Sequence, residues 1–135
     1  MKSLVKLTEE IKESLKGVKT IYMATCSNDC IPNVAPMGAY KLLDDETMLI
    51  SDQFMNKTMK NLEQNQKVAI SYWGEKGGYQ IKGVAVVHKD DDVFKEDVEW
   101  IKSVMPKLTP KSAVVIRITE VYSIKPGTEA GKKIL

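Results

Sequence analysis

Apolar residues recur along this chain in two rhythms, and the switches between them mark its elements. Leu4, Leu7, Ile11 and Leu15 repeat at helical spacing. With Thr8 suited to the N-cap and Gly17 to the stop, they predict a first helix laying one face on the core. From Val18 the pattern turns β-like, and residues 20–25 predict a strand ending at the turn Ser27-Asn28-Asp29. A second strand is predicted through Asn33, Val34 and Ala35, interrupted at Pro36 and resumed over residues 40–43. A proline inside a strand costs a ladder hydrogen bond, so Pro36 predicts an edge, a bulge or a bend, and Gly38 supports a kink. Residues 44–46 read as a turn and residues 47–51 as the third strand.

After a polar loop, Met55, Met59 and Leu62 share one face of a second helix that ends at Asn65-Gln66. Residues 67–73 predict a fourth strand, residues 74–78 a turn with three glycines, and residues 79–88 a long fifth strand. Asp90, Asp91 and Asp92 suit the positive end of a helix dipole. Phe94, Val98, Ile101 and Met105 then predict a third helix, stopped by Pro106. Residues 112–122 form the last predicted strand, and Pro126-Gly127 opens a polar tail. Short connections favour antiparallel pairs. The expected fold is mainly β with helices (α+β): an antiparallel six-stranded split β-barrel, closed to hide its edges, with about three helices. No repeat or linker divides the sequence, so residues 1–135 are expected to form a single domain.

Composition removes several classes of function. The apolar fraction, 43%, is an ordinary globular value. Twenty basic and eighteen acidic side chains, evenly scattered, leave +2, which argues against a nucleic-acid or membrane-surface partner. A single arginine, Arg117, points the same way, because base and phosphate recognition favours Arg. Met1-Lys2-Ser3 leads into an amphipathic segment, and no apolar run approaches the ~20 residues of a membrane span. A cytoplasmic location is therefore expected. Cys26 and Cys30 read as two reduced thiols at a hairpin end, with a short disulfide or a metal pair as the alternatives. One histidine, His88, leaves a Cys/His zinc site short of ligands and reads as a solvated surface residue, so no metal is expected.

Two stretches carry candidate chemistry. In residues 48–62 an apolar strand gives way to the polar loop Ser51, Asp52, Gln53 and Phe54, then to a helix with Lys57 and Thr58 in its first turn. Asn56 suits the N-cap, which leaves the N–H groups of Lys57, Thr58 and Met59 unpaired and able to hold a phosphate. A solvated helix start would carry the same residues, and the glycine-rich cradle of a Walker A loop is missing. The second stretch is Pro32-Asn33-Val34-Ala35-Pro36-Met37-Gly38. A proline-interrupted strand frees backbone donors and acceptors that could read the edge of a planar heterocycle. A phosphate anchor one strand away from such an edge suits flavin mononucleotide (FMN). No G-x-S-x-G, H-E-x-x-H or Ser/His/Asp pattern is present, so no catalytic side chain is expected.

Taken in order, the N-V-A-P-M-G bend, the polar loop, the N-K-T helix, the glycine turn, the I-K-G strand and the final V-Y-S-I-K-P resemble one known arrangement. It is the FMN-binding split barrel of the pyridoxamine 5′-phosphate oxidase-like superfamily, in particular its short single-domain FMN-binding proteins. The resemblance runs from Val18 to Pro126. It implies a homodimer with FMN at the subunit interface and the phosphate on Lys57 and Thr58. Asn33, Val34, Ala35 and Pro36 would line the flavin ring and ribityl chain, with Ser51, Asp52 and Gln53 beneath it. The partner subunit would contribute Trp73, Tyr79 and Tyr122. The sequence departs from true pyridoxamine phosphate oxidases in having Gly77-Gly78 where they carry an Arg-Gln pair, and no arginine beside Lys132 and Lys133. Oxidation of that vitamer is therefore not expected.

The resulting expectation is a small FMN-binding flavoprotein, an oxidoreductase or electron carrier in which the isoalloxazine does the chemistry. A nicotinamide or a protein would serve as electron donor. The alternatives are a non-catalytic flavin- or haem-binding module and a deazaflavin-dependent reductase.

Overall fold

The structure, a computed structural model, describes residues 3–135, so Met1 and Lys2 of the predicted leaderless start lie outside the described residues. Its elements run α1 (Glu9–Leu15), β1 (Ile21–Cys26), β2 (Pro32–Met37), β3 (Tyr40–Leu42), β4 (Thr47–Asp52), α2 (Lys57–Gln64), β5 (Lys67–Ser71), β6 (Tyr79–His88), α3 (Asp92–Val104) and β7 (Ser112–Ser123). Thr8 caps α1 as its position predicts, its hydroxyl accepting from the Ile11 N–H at 3.3 Å.

The seven strands, one more than expected, form an antiparallel sheet in the order β2-β1-β5-β6-β7-β4-β3. Pro36 does not interrupt β2. The chain breaks instead at Gly38-Ala39, dividing the predicted second strand into β2 and β3. Proline is tolerated where it stands because β2 is an edge, with Pro36 opposite Tyr22 of β1 and no strand on its other side.

That break dictates the overall shape. Laid flat, seven strands put the two edges roughly 29 Å apart. Yet β2 and β3 lie at opposite edges and are joined by two residues, which span about 11 Å between Met37 and Tyr40. The sheet must therefore curl until its edges approach, giving the expected split barrel. Ile21, Met23, Ile50, Ile70, Ile81, Ile116 and Ile118 fill its buried interior, with Leu62 of α2 and Ile11 of α1 packed into the same cluster.

At the other end, Asp91 caps α3 by accepting from the Phe94 N–H at 3.0 Å, while its second oxygen lies 2.6 Å from His88 Nδ1. His88 is thus at the surface, as expected, and is tied there to the residue that caps α3. The inward line of α3 differs from prediction. Asp97 and Ile101 are the buried positions, and Phe94, Val98 and Met105 are only half-buried. The polar tail folds back onto the sheet, the Ile134 N–H donating to the Val121 carbonyl at 2.7 Å. Cys26 and Cys30 are free thiols, and among the described residues no cluster of His, Cys, Asp and Glu is placed to hold a metal. No described helix is long and apolar enough to cross a membrane.

Candidate functional site

β2 and the start of α2 face each other across a cleft of about 360 Å³. Eight of the twelve residues singled out in the sequence line it: Asn33, Val34, Ala35, Pro36, Ser51, Gln53, Lys57 and Thr58. Strand alternation turns Asn33 and Ala35 toward α2. Val34 and Pro36 point to the outer side of β2, with Val34 64% exposed, because the inner side of the neighbouring β1 already faces the core.

The helix start has the expected unpaired N–H groups, but without the side-chain cap expected of Asn56. Asn56 occupies the N-cap position but its side chain makes no capping hydrogen bond. The first helical bond runs from the Lys60 N–H to the Asn56 carbonyl at 3.0 Å, so the N–H groups of Lys57, Thr58 and Met59 have no partner within the helix. What fixes the loop is Asp52. One of its carboxylate oxygens accepts from the Met55 N–H at 2.9 Å and the other from the Ser112 hydroxyl at 2.9 Å. Lys111 reinforces the clamp by donating through Nζ to the Met55 carbonyl at 3.0 Å. Asp52 is buried by these contacts and does not line the cleft.

A second set of bonds ties α2 to the sheet. The Asn33 amide donates to the hydroxyl of buried Thr58 at 3.0 Å and to that of Thr25 at 3.3 Å, and Asn61 donates to Thr25 at 3.0 Å. Because Thr58 accepts from Asn33, its own hydrogen remains available to an acceptor at the helix start. A negative group there meets three unpaired N–H groups, the positive end of the helix dipole and the Lys57 ammonium.

Beneath the cleft, the Gln53 amide donates to the Ser51 hydroxyl at 2.6 Å, and Ser51 donates to Asp97 Oδ2 at 2.8 Å. Asp97 is fully buried and its Oδ1 has no hydrogen-bond partner. Burial raises the Asp97 carboxyl above its ordinary value, opposed by the Ser51 hydrogen bond and by Lys41, and aided by the charge of Asp52. An acid whose pKa is raised by folding favours the folded state while neutral. That stability is complete below the ordinary carboxylate range and is lost as pH rises through the raised value. Thermal melts across acid to neutral pH should therefore fall less steeply for Asp97→Asn than for the parent.

Trp73, Tyr79 and Tyr122 lie away from this cleft. Trp73 follows β5 and is 56% exposed, while Tyr79 and Tyr122 stand at the β6–β7 end, where Tyr79 pairs with Ser123 and Tyr122 with Gln80. Four further residues line the cleft: Met37, Phe54, Met55 and Asn56. Phe54, 84% exposed at the tip of a polar loop, had a visible signal, since a large aromatic there finds no core to enter. Asp97 had one too, because the spacing Val93-Asp97-Ile101 puts a carboxylate on a helix line that otherwise faces inward. A larger cleft of about 730 Å³ lies between α1 and β3, but its Lys12 and Lys16 are already paired with Asp45 and Glu13. It offers no uncapped helix start.

The sequence matches the family model for pyridoxamine 5′-phosphate oxidase over residues 7–125. The chain belongs to that family. An uncharacterized protein of Methanocaldococcus jannaschii is 48% identical over 135 residues, covering 98% of this chain and 90% of its own. HupZ of Group A Streptococcus shares the fold with a TM-score of 0.80 and 24% identity, over 93% of this chain and 99% of that one. An FMN-binding protein of Syntrophomonas wolfei does so with a TM-score of 0.67 and 14% identity, over 84% and 82%. Membership in the pyridoxamine 5′-phosphate oxidase family agrees with the split barrel built above from the Gly38 break.

Proposed function

We propose that this protein is a small FMN-binding flavoprotein that holds the FMN phosphate at the start of α2. The observation that carries the reading is the uncapped first turn of α2, open to a cleft whose opposite wall is β2. Membership in the pyridoxamine 5′-phosphate oxidase family and the fold shared with an FMN-binding protein support it.

The residues present fit the group. Lys57, Thr58 and the unpaired N–H groups match a phosphate, and the β2 segment Val34, Ala35 and Pro36, lining the cleft along its edge, matches a flat ring. Ser51 and Gln53 supply polar atoms at the floor. Bound there, FMN would supply electron or hydride chemistry through its isoalloxazine, making the protein an oxidoreductase or an electron carrier. The chain's own part is to bind, orient and exclude water. Asp52 acts in this reading as the clamp that shapes the loop. Oxidation of pyridoxamine phosphate itself is not part of the proposal, given Gly77-Gly78.

The cleft is open on one side, and the outer face of β1 and β2 presents Tyr22, Val34 and Pro36 to solvent as neighbours across the ladder. Pairing of two copies over this face would close the cleft. In that homodimer Trp73, Tyr79 and Tyr122 are assigned to the partner's side of the site, and a nicotinamide or a protein supplies the electrons. A cytoplasmic, single-domain protein completes the reading.

Protein purified from its expression host should be yellow, and mass spectrometry of the released ligand should return FMN. Release of a deazaflavin or haem, or a colourless protein indifferent to added FMN, contradicts the proposal. Lys57→Ala should weaken FMN binding by on the order of ten-fold or more, through loss of a charge-assisted contact, as read by fluorescence titration.

A further inference from the structure

The bonds beneath the cleft form a directed chain. Gln53 can only donate through its amide nitrogen, so Ser51 Oγ accepts from it at 2.6 Å. The Ser51 hydrogen is then committed to Asp97 Oδ2 at 2.8 Å when Asp97 is ionised. Ser51 and Gln53 line the cleft, whereas Asp97 is fully buried on the inward face of α3. If the carboxyl takes up a proton, it becomes a donor, and the same contact is satisfied with Asp97 giving its hydrogen to Ser51 Oγ. Ser51 then receives two hydrogens, from Asp97 and Gln53, and its own is free to turn toward the cleft.

We infer that Asp97 is a positioning residue for the cleft: whether its carboxyl carries a proton decides whether Ser51 directs its hydrogen inward or toward a bound ligand. Three independent features support this. Asp97 Oδ1 is buried without a partner, so the carboxylate is incompletely satisfied and a change of protonation there is not opposed by a closed network. The charged groups facing it, Lys41 from β3 and Asp52 from β4, act in opposite directions. Lys41 is also turned over the Trp100 ring at 4.6 Å, and Asp52 is held by Ser112 and Met55. Neither therefore closes on Asp97 as a direct ion-pair partner. The proton is taken up from solvent and stays on the Asp97 carboxyl, which then shares it with Ser51 Oγ as a hydrogen bond, and no covalent step is involved.

The inference concerns the floor of the proposed flavin cleft and in that sense rests on the FMN reading, yet it can be tested without ligand. In ¹⁵N-edited spectra of the ligand-free protein, the Gln53 side-chain amide signals should move with pH along a single titration. The movement should vanish in Asp97→Asn and also in Ser51→Ala, which cuts the chain while leaving Asp97 in place. Should Asp97→Asn not fold, Ser51→Ala decides alone. Gln53 signals that ignore pH in the parent, or that titrate equally in the variants, overturn the inference. With FMN added, the parent should bind on the order of five-fold more tightly on the acid side of that titration, relative to Asp97→Asn, from one gained hydrogen bond. Identical pH profiles for parent and variant also overturn it. A parent that binds no FMN contradicts the flavin reading, while the ligand-free titration still judges Asp97.

Discussion

Truncating Leu62 to alanine is expected to lower the unfolding free energy by about 2–5 kcal/mol, the range for emptying a buried leucine site. Leu62 is 1% exposed and is the deepest apolar side chain of α2, a helix of eight residues. So short a helix has little stability of its own and depends on its packing. Apart from half-buried Met59, its other attachments are polar, through Asn61 to Thr25 and Thr58 to Asn33. Against a typical total of about 5–15 kcal/mol the loss is large. Thermal melting should register it as a drop of roughly 3 °C per kcal/mol. Because the same helix presents Lys57 and Thr58, the variant should also lose FMN affinity at temperatures where it remains folded. A melting point within a degree of the parent would show that α2 is not held by this contact.

Gly83→Ala is expected to cost about 3 kcal/mol, the upper part of the usual range for overpacking. Gly83 lies in the middle of β6, paired with Val68 on one side and Ile118 on the other. The register shifts between Lys82 and Gly83, so that Thr119 of β7 is left over as a bulge and the backbones come unusually close. An added Cβ would stand 2.4 Å from the Arg117 carbonyl oxygen and 2.8 Å from Ile116 Cγ2. Neither neighbour is free to retreat. Arg117 is paired with Thr47 and Val84, and Ile116 is fully buried. Chemical denaturation should give a lower midpoint with an unchanged slope, since the unfolded chain is the same. A variant as stable as the parent would mean that the bulge is not fixed where Gly83 stands.

These two positions also illustrate what a linear sequence conveys. Leu62 was legible because Met59 and Leu62 share a helical face packed on the core, while Met55, expected on the same face, lies in the loop before the helix and still joins the core. The position of the α2 start was legible because strand, polar loop and helix follow one another within a few residues, but the failure of Asn56 to cap it was not. The strand break was not. Pro36 signalled an irregularity correctly, but which strands form the edges depends on pairings between distant segments, and only these reveal that the chain crosses from one edge to the other at Gly38. The bonds of Asp52 were hidden by the same kind of distance. Its loop position suggested a ligand contact, whereas Ser112, sixty residues on, turns it into a clamp. Asp97 escaped because a charged residue in an amphipathic helix is ordinarily assigned to the wet side. Trp73, Tyr79 and Tyr122 do not meet the cleft within one chain, so the sequence pattern alone could not join them to it.

The Asp97–Ser51–Gln53 chain and the Lys57–Thr58 helix start divide the cleft into two ends with different chemistry. One end offers only donors and positive charge, as a phosphate requires. The other end offers the hydroxyl of Ser51 and the amide of Gln53 beside β2, as a polar ring edge requires. Their coexistence within about 360 Å³ is the physical content of the flavin proposal.

The most direct measurement compares FMN with riboflavin, which carries the same ring and ribityl chain but no phosphate, by fluorescence titration of the ligand-free protein. The account predicts that FMN binds at least ten-fold more tightly, about 1.4 kcal/mol, and that Lys57→Ala narrows the gap. Equal affinities for the two, or no binding of FMN, would contradict it.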